Sequence, residues 1–336
     1  MSQFKKLACI FITGFFLCNS AVAAGSNKLV NHPQVKSIIT ELHKKHGIDT
    51  AELKKIFARV ELKPEIIKRM KKPAEGLPWH RYRNIFLKQT RIQQGTQFWE
   101  ENTPALIRAE KKYGVPAEII VAILGVETRF GRVTGGFKVM DALTTLVVDY
   151  PKRRSFFKKE LIEYIALMHK EGIDPLSMEG SYAGALGKPQ FMPSSYRHYA
   201  VDFDGDGKRD LFNSSEDAIG SIANYLHRHG WERGKPIATQ VTVSGKHYPR
   251  LVKLGLKPTI TPQQVKKFGI NGNHTLSANE KAALIELEQT DGNEYWLGLD
   301  NFYAITRYNH SALYAMAVYQ LGQAIRTARS RVAVMD

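Results

Sequence analysis

Residues 116–131 read Pro116-Ala117-Glu118-Ile119-Ile120-Val121-Ala122-Ile123-Leu124-Gly125-Val126-Glu127-Thr128-Arg129-Phe130-Gly131. Proline suits the first turn of a helix, because the amide it lacks has no partner there. Ile119, Ile120, Ile123, Leu124 and Val126 then make the segment apolar nearly all round, so the helix is expected to be buried. Glu127 stands where that helix ends, and a glycine-rich basic loop, Gly131 to Lys138, follows. A carboxyl at the edge of an apolar wall loses solvation, which favours its protonated form near neutral pH. Such a group can donate a proton to a glycosidic oxygen as a general acid. An ion pair of Glu127 with Arg129 or Arg132 accounts for the same pattern, and this segment by itself leaves both readings open.

Outward from this helix the periodicity stays helical on the N-terminal side. Val35, Ile38, Ile39 and Leu42 repeat at helix spacing before His46-Gly47. Asp49 and Thr50 start a second run with Leu53, Ile56 and Phe57 on one face. A short helix is predicted from Leu62 to Met70, Trp79 to Trp99 is rich in aromatic and basic residues, and Pro104 opens a helix through Tyr113. On the C-terminal side, helices are predicted around Ala142–Val148, Arg154–His169 and Asp217–His229, with Gly180 to Tyr199 read as loop. Ile237 to Leu299 turns to strand character: Thr239 to Val243 alternates with period two, and Asp291-Gly292 between Ala282–Glu288 and Tyr295–Leu299 signals a hairpin. Helical spacing returns from Ser311 to Arg331. The expected fold is mainly α (α+β), with a small sheet-containing insertion between two parts of a helical domain. The expected boundaries are a leader at 1–23, a helical N-terminal region at 24–113, a core at 114–234, a small β-containing domain at 235–300 and a closing C-terminal helix at 301–336.

The leader expectation rests on Lys5 and Lys6, the apolar run Leu7 to Leu17, too short to span a bilayer with ease, and the small residues of Ala21-Val22-Ala23. Cys18 follows Phe15-Phe16-Leu17 rather than a small residue, so lipid attachment is not expected. Both cysteines, Cys9 and Cys18, fall in the leader, leaving the exported chain without disulfide, thiol nucleophile or cysteine-bound metal. The formal charge of +16 draws polyanions. Export argues against nucleic acid and for the acidic wall or the membrane surface as the place of peripheral association, with the chain acting as a monomer in the periplasm.

Two further segments bear on chemistry. Ser181 to Tyr196 supplies small spacers, hydroxyl and amide groups, and aromatic faces, the set that binds sugar hydroxyls and C–H patches. Arg307-Tyr308-Asn309-His310-Ser311 precedes a helix on which Ser311 and Tyr314 share a face.

Taken in order, Gly125–Gly131, Tyr150-Pro151-Lys152-Arg153, Ser181–Tyr196, Asp217–Tyr225 and Arg307–Tyr314 resemble the catalytic domain of the lytic murein transglycosylase B family, and the match runs through nearly the whole exported chain. The resemblance implies a lysozyme-like helical core that cleaves the β-1,4 bond between N-acetylmuramic acid and N-acetylglucosamine. It implies Glu127 as the single acid and then base, with the muramoyl 6-hydroxyl closing a 1,6-anhydro ring and no catalytic cofactor. Two-carboxylate glycosidases differ in this respect. By position it assigns Ser181, Gln190, Phe191, Tyr225, Tyr308, Asn309 and Tyr314 to the saccharide cleft and Arg153 to the peptide or lactyl group. Lys152 replaces an arginine found in many relatives, keeping charge but losing the fork. A non-catalytic wall-binding or scaffold protein and a hydrolytic muramidase are the competing functions.

Asp202-Phe203-Asp204-Gly205-Asp206-Gly207-Lys208 fits the start of an EF-hand loop, with acids at positions one, three and five, a turn glycine, and the Lys208 carbonyl at seven. Position twelve is Asn213, not glutamate. The resemblance implies a longer loop closed by a late acid, Asp217. Structural Ca²⁺ bound by Asp202, Asp204, Asp206, Lys208 and Asp217 is the expectation.

Overall fold

The structure is a computed structural model describing residues 28–71, 76–273 and 276–332. The expected leader, with Cys9 and Cys18, lies outside the described residues. The chain divides into two compact units, one up to Glu61 and one from Leu62 onward.

In the first unit, α1 (Pro33–His46) has proline in its first turn and ends at Gly47, whose φ of 69° is the left-handed cap. The expected stripe of Val35, Ile38, Ile39 and Leu42 is buried. Helix α2 (Thr50–Ala58) starts at Asp49, whose carboxylate accepts from the Ala51 and Glu52 amides, and it buries Leu53 and Phe57.

The second unit opens with α3 (Pro64–Met70), α4 (Trp79–Phe86), α5 (Gln89–Glu101) and α6 (Thr103–Tyr113). The aromatic and basic run Trp79 to Trp99 is thus two helices, broken at Leu87, whose ψ of 47° leaves the helical region. Helix α7 (Ala117–Thr128) is the buried element foreseen from 116–131: Ile119, Ile120, Ile123 and Leu124 are wholly inaccessible. Each such isoleucine or leucine contributes about 2 kcal/mol of apolar burial. A short pair, β1 (Phe137–Lys138) and β2 (Glu179–Gly180), brackets α8 (Val139–Asp149) and α9 (Arg154–Lys170). Helices α10 (Pro193–Tyr199) and α11 (Ser215–Arg228) follow.

A four-stranded antiparallel sheet then interrupts the helices, in the order β4 (Ile270–Gly272), β3 (Ala238–Val243), β6 (Gly292–Gly298), β5 (Ala283–Gln289). Short helices α12 (Pro249–Val252) and α13 (Pro262–Lys267) lie between β3 and β4, and Val241, Leu251, Ile260, Ile270, Leu284 and Leu297 share this sheet's own core. The predicted hairpin forms one residue earlier than its Asp-Gly pair. Gln289 pairs with Gly292, so Thr290-Asp291 makes the turn and Gly292 opens β6 at φ 108°, a value that side chains resist.

The chain returns to helix with α14 (Asp300–Tyr308) and α15 (Ala312–Val332). Helix α15 lies against α7. At Gly322 the two approach so closely that a Cβ would stand 2.9 Å from the Glu118 carbonyl oxygen. That contact brings Tyr314 to Glu127.

Candidate active site

Glu127 lies half-buried in the last turn of α7. Directly after it the backbone turns left-handed at two non-glycine residues, Arg129 (φ 51°) and Phe130 (φ 62°). Such residues cost about 1–3 kcal/mol each and persist only when their surroundings fix them. Here the Phe130 amide donates to the Leu124 carbonyl at 2.9 Å, and its ring stacks on Phe98 at 5.7 Å. The Thr128 hydroxyl donates to the Lys188 carbonyl at 2.8 Å and accepts from the Gly131 amide at 2.9 Å. The carboxyl is therefore mounted on a turn with little freedom.

Tyr314, from the first turn of α15, donates its hydroxyl to Glu127 Oε1 at 2.6 Å. Its ring lies nearly parallel to Tyr308, 6.4 Å between centroids. Tyr308 meets Tyr225 at 4.9 Å and Phe191 at 5.8 Å, and Phe191 meets Tyr225 at 5.5 Å. Two hydroxyls of the chain are tied to backbone, Tyr308 to the Pro189 carbonyl at 2.6 Å and Tyr225 to the Arg307 carbonyl at 2.5 Å. Burial, and then the charge of Glu127, push the Tyr308 and Tyr314 phenols well above their ordinary range, so both stay neutral donors. A hydrogen bond at one carboxyl oxygen fixes the plane of the group and hence the direction of the other.

The segment from Ser181 onward is folded by its own polar groups. The Ser181 hydroxyl accepts from the Ala183 and Ala185 amides at 3.3 and 3.0 Å. Gln190, left-handed at φ 53°, donates its amide to the Thr134 and Gly187 carbonyls at 2.9 and 3.0 Å, tying the segment to the loop after Glu127. The end of this supposed loop is the helix α10. Pro193 starts it, and the buried carboxylate of Glu160 in α9 accepts from the Ser194 amide at 2.9 Å and hydroxyl at 2.8 Å. That partner is 34 residues away, so local periodicity gives no sign of it. Asn309 is half-buried in the break between α14 and α15, where its carbonyl accepts from the Ser311 amide at 2.7 Å. Arg153 stacks its guanidinium over Phe156 at 4.2 Å on the turn before α9, so its cation belongs to that turn rather than to the aromatic chain.

The sequence pattern of the transglycosylase SLT domain family matches residues 31–323. The chain belongs to this family. It is 42% identical over 309 residues to membrane-bound lytic murein transglycosylase B of Escherichia coli K12, covering 89% of this chain and 84% of that protein. The E. coli lytic transglycosylase Slt35, solved in complex with calcium, superposes with a TM-score of 0.83 at 42% identity, covering 89% of this chain and 95% of that one. SltB3 of Pseudomonas aeruginosa, solved with NAG-anhNAM-pentapeptide, gives a TM-score of 0.75 at 31% identity over 87% of this chain and 79% of that one. The family and the lysozyme-like helical fold expected from the motifs are those found.

Three more residues stand at this site. Tyr82 of α4 is 2% exposed and close enough that its charge would act on Tyr314. Tyr199 and His229 back Tyr225, the latter stacked on it at 4.0 Å. Their signal was weak, because Tyr82 sits in an aromatic and basic run, Tyr199 ends a stretch that reads as loop, and His229 ends a helix.

Among the described residues, carboxylate oxygens of Asp202, Asp204 and Asp217 come within 4.8 Å of one another. Asp217 is wholly buried, and its oxygens accept from the Phe203 and Asp210 amides at 2.7 Å. Hard oxygen donors gathered this closely suit a divalent hard cation. Asp206 stands outside that trio, its Oδ1 accepting from the Lys208 amide at 2.8 Å.

Proposed function

We propose that this chain is a peptidoglycan lytic transglycosylase that cleaves the MurNAc-β-1,4-GlcNAc bond, with Glu127 as its single acid and base. Membership of the family carries the coarser statement, a lyase acting on peptidoglycan. The observation that carries the assignment to Glu127 is the 2.6 Å hydrogen bond from Tyr314, which orients the carboxyl beside a run of aromatic rings. Glu127 gives its proton to the leaving GlcNAc oxygen as the C1–O bond breaks, and the substrate's acetamido group supports the developing positive charge. The ionised carboxylate then takes the proton of the muramoyl 6-hydroxyl as O6 bonds to C1, closing the anhydro ring without water. Phe191, Tyr225 and Tyr308 form the aromatic wall beside the sugars, with Ser181, Gln190 and Asn309 shaping the cleft and Arg153 reaching toward the peptide or lactyl group. That a relative is solved with an anhydromuramoyl ligand agrees with this outcome.

The test is mass spectrometry of purified sacculi digested by the parent chain and by Glu127→Gln. Anhydromuramoyl products from the parent and a loss of about a thousandfold or more in the variant are expected. Reducing ends in their place would make the enzyme a hydrolase, and no product from the parent would leave a binding protein.

Ca²⁺ would be held by Asp202, Asp204 and Asp217, with Asp206 and the Lys208 carbonyl completing the shell, and would neutralise like charges rather than take part in bond cleavage. Calcium in the Slt35 structure supports this. The proposed setting is the periplasm, after removal of residues 1–23 and without lipid attachment, with the chain working as a monomer at the wall. The proposed organisation keeps 24–113, 114–234, 235–300 and 301–336 as its parts.

A further inference from the structure

A cavity of about 560 Å³ opens beside the turn that follows Glu127. Among the described residues, its lining contains five cations, Arg81, Lys88, Arg91, Arg129 and Arg132, and no carboxylate. They come from three places: α4 and the residue two beyond it, α5, and the strained turn itself. Two exposed apolar side chains, Ile85 and Val133, share the wall, as do the amides of Asn84 and Gln94.

This convergence is built rather than incidental. Arg91 is 8% exposed, donates to the Gly125 carbonyl at 3.0 Å and lies over Phe86 at 5.4 Å, so its guanidinium is fixed to the helix that carries Glu127. Burial, and then the charge of Arg129, push it below its ordinary range. Arg129 holds a left-handed backbone that a glycine would adopt without cost, and its side chain lines this cavity. Like charges brought together around a hollow raise the energy of the empty site and are relieved by an anion. The volume suits a small organic ligand, and the mixture of guanidinium forks, amides and short apolar side chains suits carboxylates joined by peptide bonds and carrying methyl groups. A flat lipid surface would be served by a convex cationic face instead.

The loop that supplies Arg129, Arg132 and Val133 continues to Thr134, whose carbonyl holds Gln190 of the saccharide segment. We propose that this cavity is a second binding site, for the acidic peptide that a peptidoglycan strand carries, placed one loop away from the catalytic carboxyl. It rests on the strand-cleaving reading. The site selects peptide-bearing stretches of glycan and seats them with their carboxylates against Arg81, Lys88 and Arg132.

Arg81→Gln/Lys88→Gln is the informative variant, because both side chains are exposed and neither belongs to the catalytic machinery. Binding of a free acidic stem tripeptide, L-Ala-γ-D-Glu-diaminopimelate, is measured by calorimetry on the Glu127→Gln chain with and without the double substitution. Cleavage is measured on peptide-bearing strands and on the same strands stripped of peptide by an amidase. The double variant is expected to bind the tripeptide about fivefold more weakly. It is expected to lose a similar factor in kcat/KM on peptide-bearing strands and none on stripped ones. Unchanged tripeptide binding, or an equal loss on both strands, would overturn the site. So would loss of binding to vesicles of anionic phosphatidylglycerol with tripeptide affinity intact, which would assign the cations to a membrane. The tripeptide has no glycosidic bond, so binding is read even if the parent chain releases no anhydro product, a result that would sink the cleavage reading alone.

Discussion

Replacing Tyr314 by Phe removes one hydrogen bond and almost no volume. The lost donor faces the carboxyl that changes charge in the proposed reaction, and hydrogen bonds to charged groups are worth about 1.5–3 kcal/mol. Tyr314→Phe is therefore expected to lower kcat by roughly 10- to 100-fold with KM little changed, in steady-state assays on glycan strands. His229 makes a different kind of prediction. Burial, opposed by its bond to the Tyr225 carbonyl, lowers its pKa from 6.5, so folding favours the neutral ring. The unfolded chain then takes up the proton first as pH falls. The contribution is present above about pH 6.5 and is lost below it. Urea unfolding at about pH 7.5 and pH 5 should show a fall in stability that His229→Gln makes smaller. Glu127 was legible because it interrupts an apolar helix at its end. Tyr82 was not, because its neighbour Tyr314 is more than two hundred residues along the chain.

Elements decide how such residues are mounted. Helix α10 carries the end of the Ser181–Tyr196 segment, and its start is capped from outside by the buried Glu160. Ser194→Ala keeps the amide bond but leaves one carboxylate oxygen without its hydroxyl donor, at a cost of about 1–3 kcal/mol. Chemical denaturation is expected to report that loss, and a value near zero would mean that the carboxylate finds another partner. Helix α7 was readable from its composition, since a helix apolar on all faces has nowhere to go but the interior. The loop reading of Gly180–Tyr199 failed at α10 and at Gly180, which belongs to β2. Glycine, serine and proline lower helix propensity, and a distant carboxylate overrides it. The hairpin was seen and placed one residue late, because an Asp-Gly pair can close a turn or, as here, let glycine open the strand.

At the scale of the whole molecule, stability is expected to answer to divalent cations through the acidic loop. Asp202, Asp204 and Asp217 repel one another unless a cation joins them, so Ca²⁺ should bind the folded chain far better than the unfolded one. At a hundredfold excess over Kd the gain is about 2.7 kcal/mol. Calorimetric scans should show Tm rising with calcium and falling with chelator, and Asp217→Asn should abolish the response; a Tm indifferent to both would remove the metal from the account. Composition, periodicity and short-range turn chemistry were enough to determine the mainly helical class, the buried helix ending in Glu127, the sheet-bearing segment near the C-terminal end and the aspartate loop, because each is a property of residues within a few turns of one another. The Tyr314–Glu127 bond, the capping of α10 by Glu160 and the gathering of five cations around one cavity were decided only by tertiary structure. Those arrangements depend on which helix faces meet across the core, and contacts between residues far apart in the chain leave no local pattern to read.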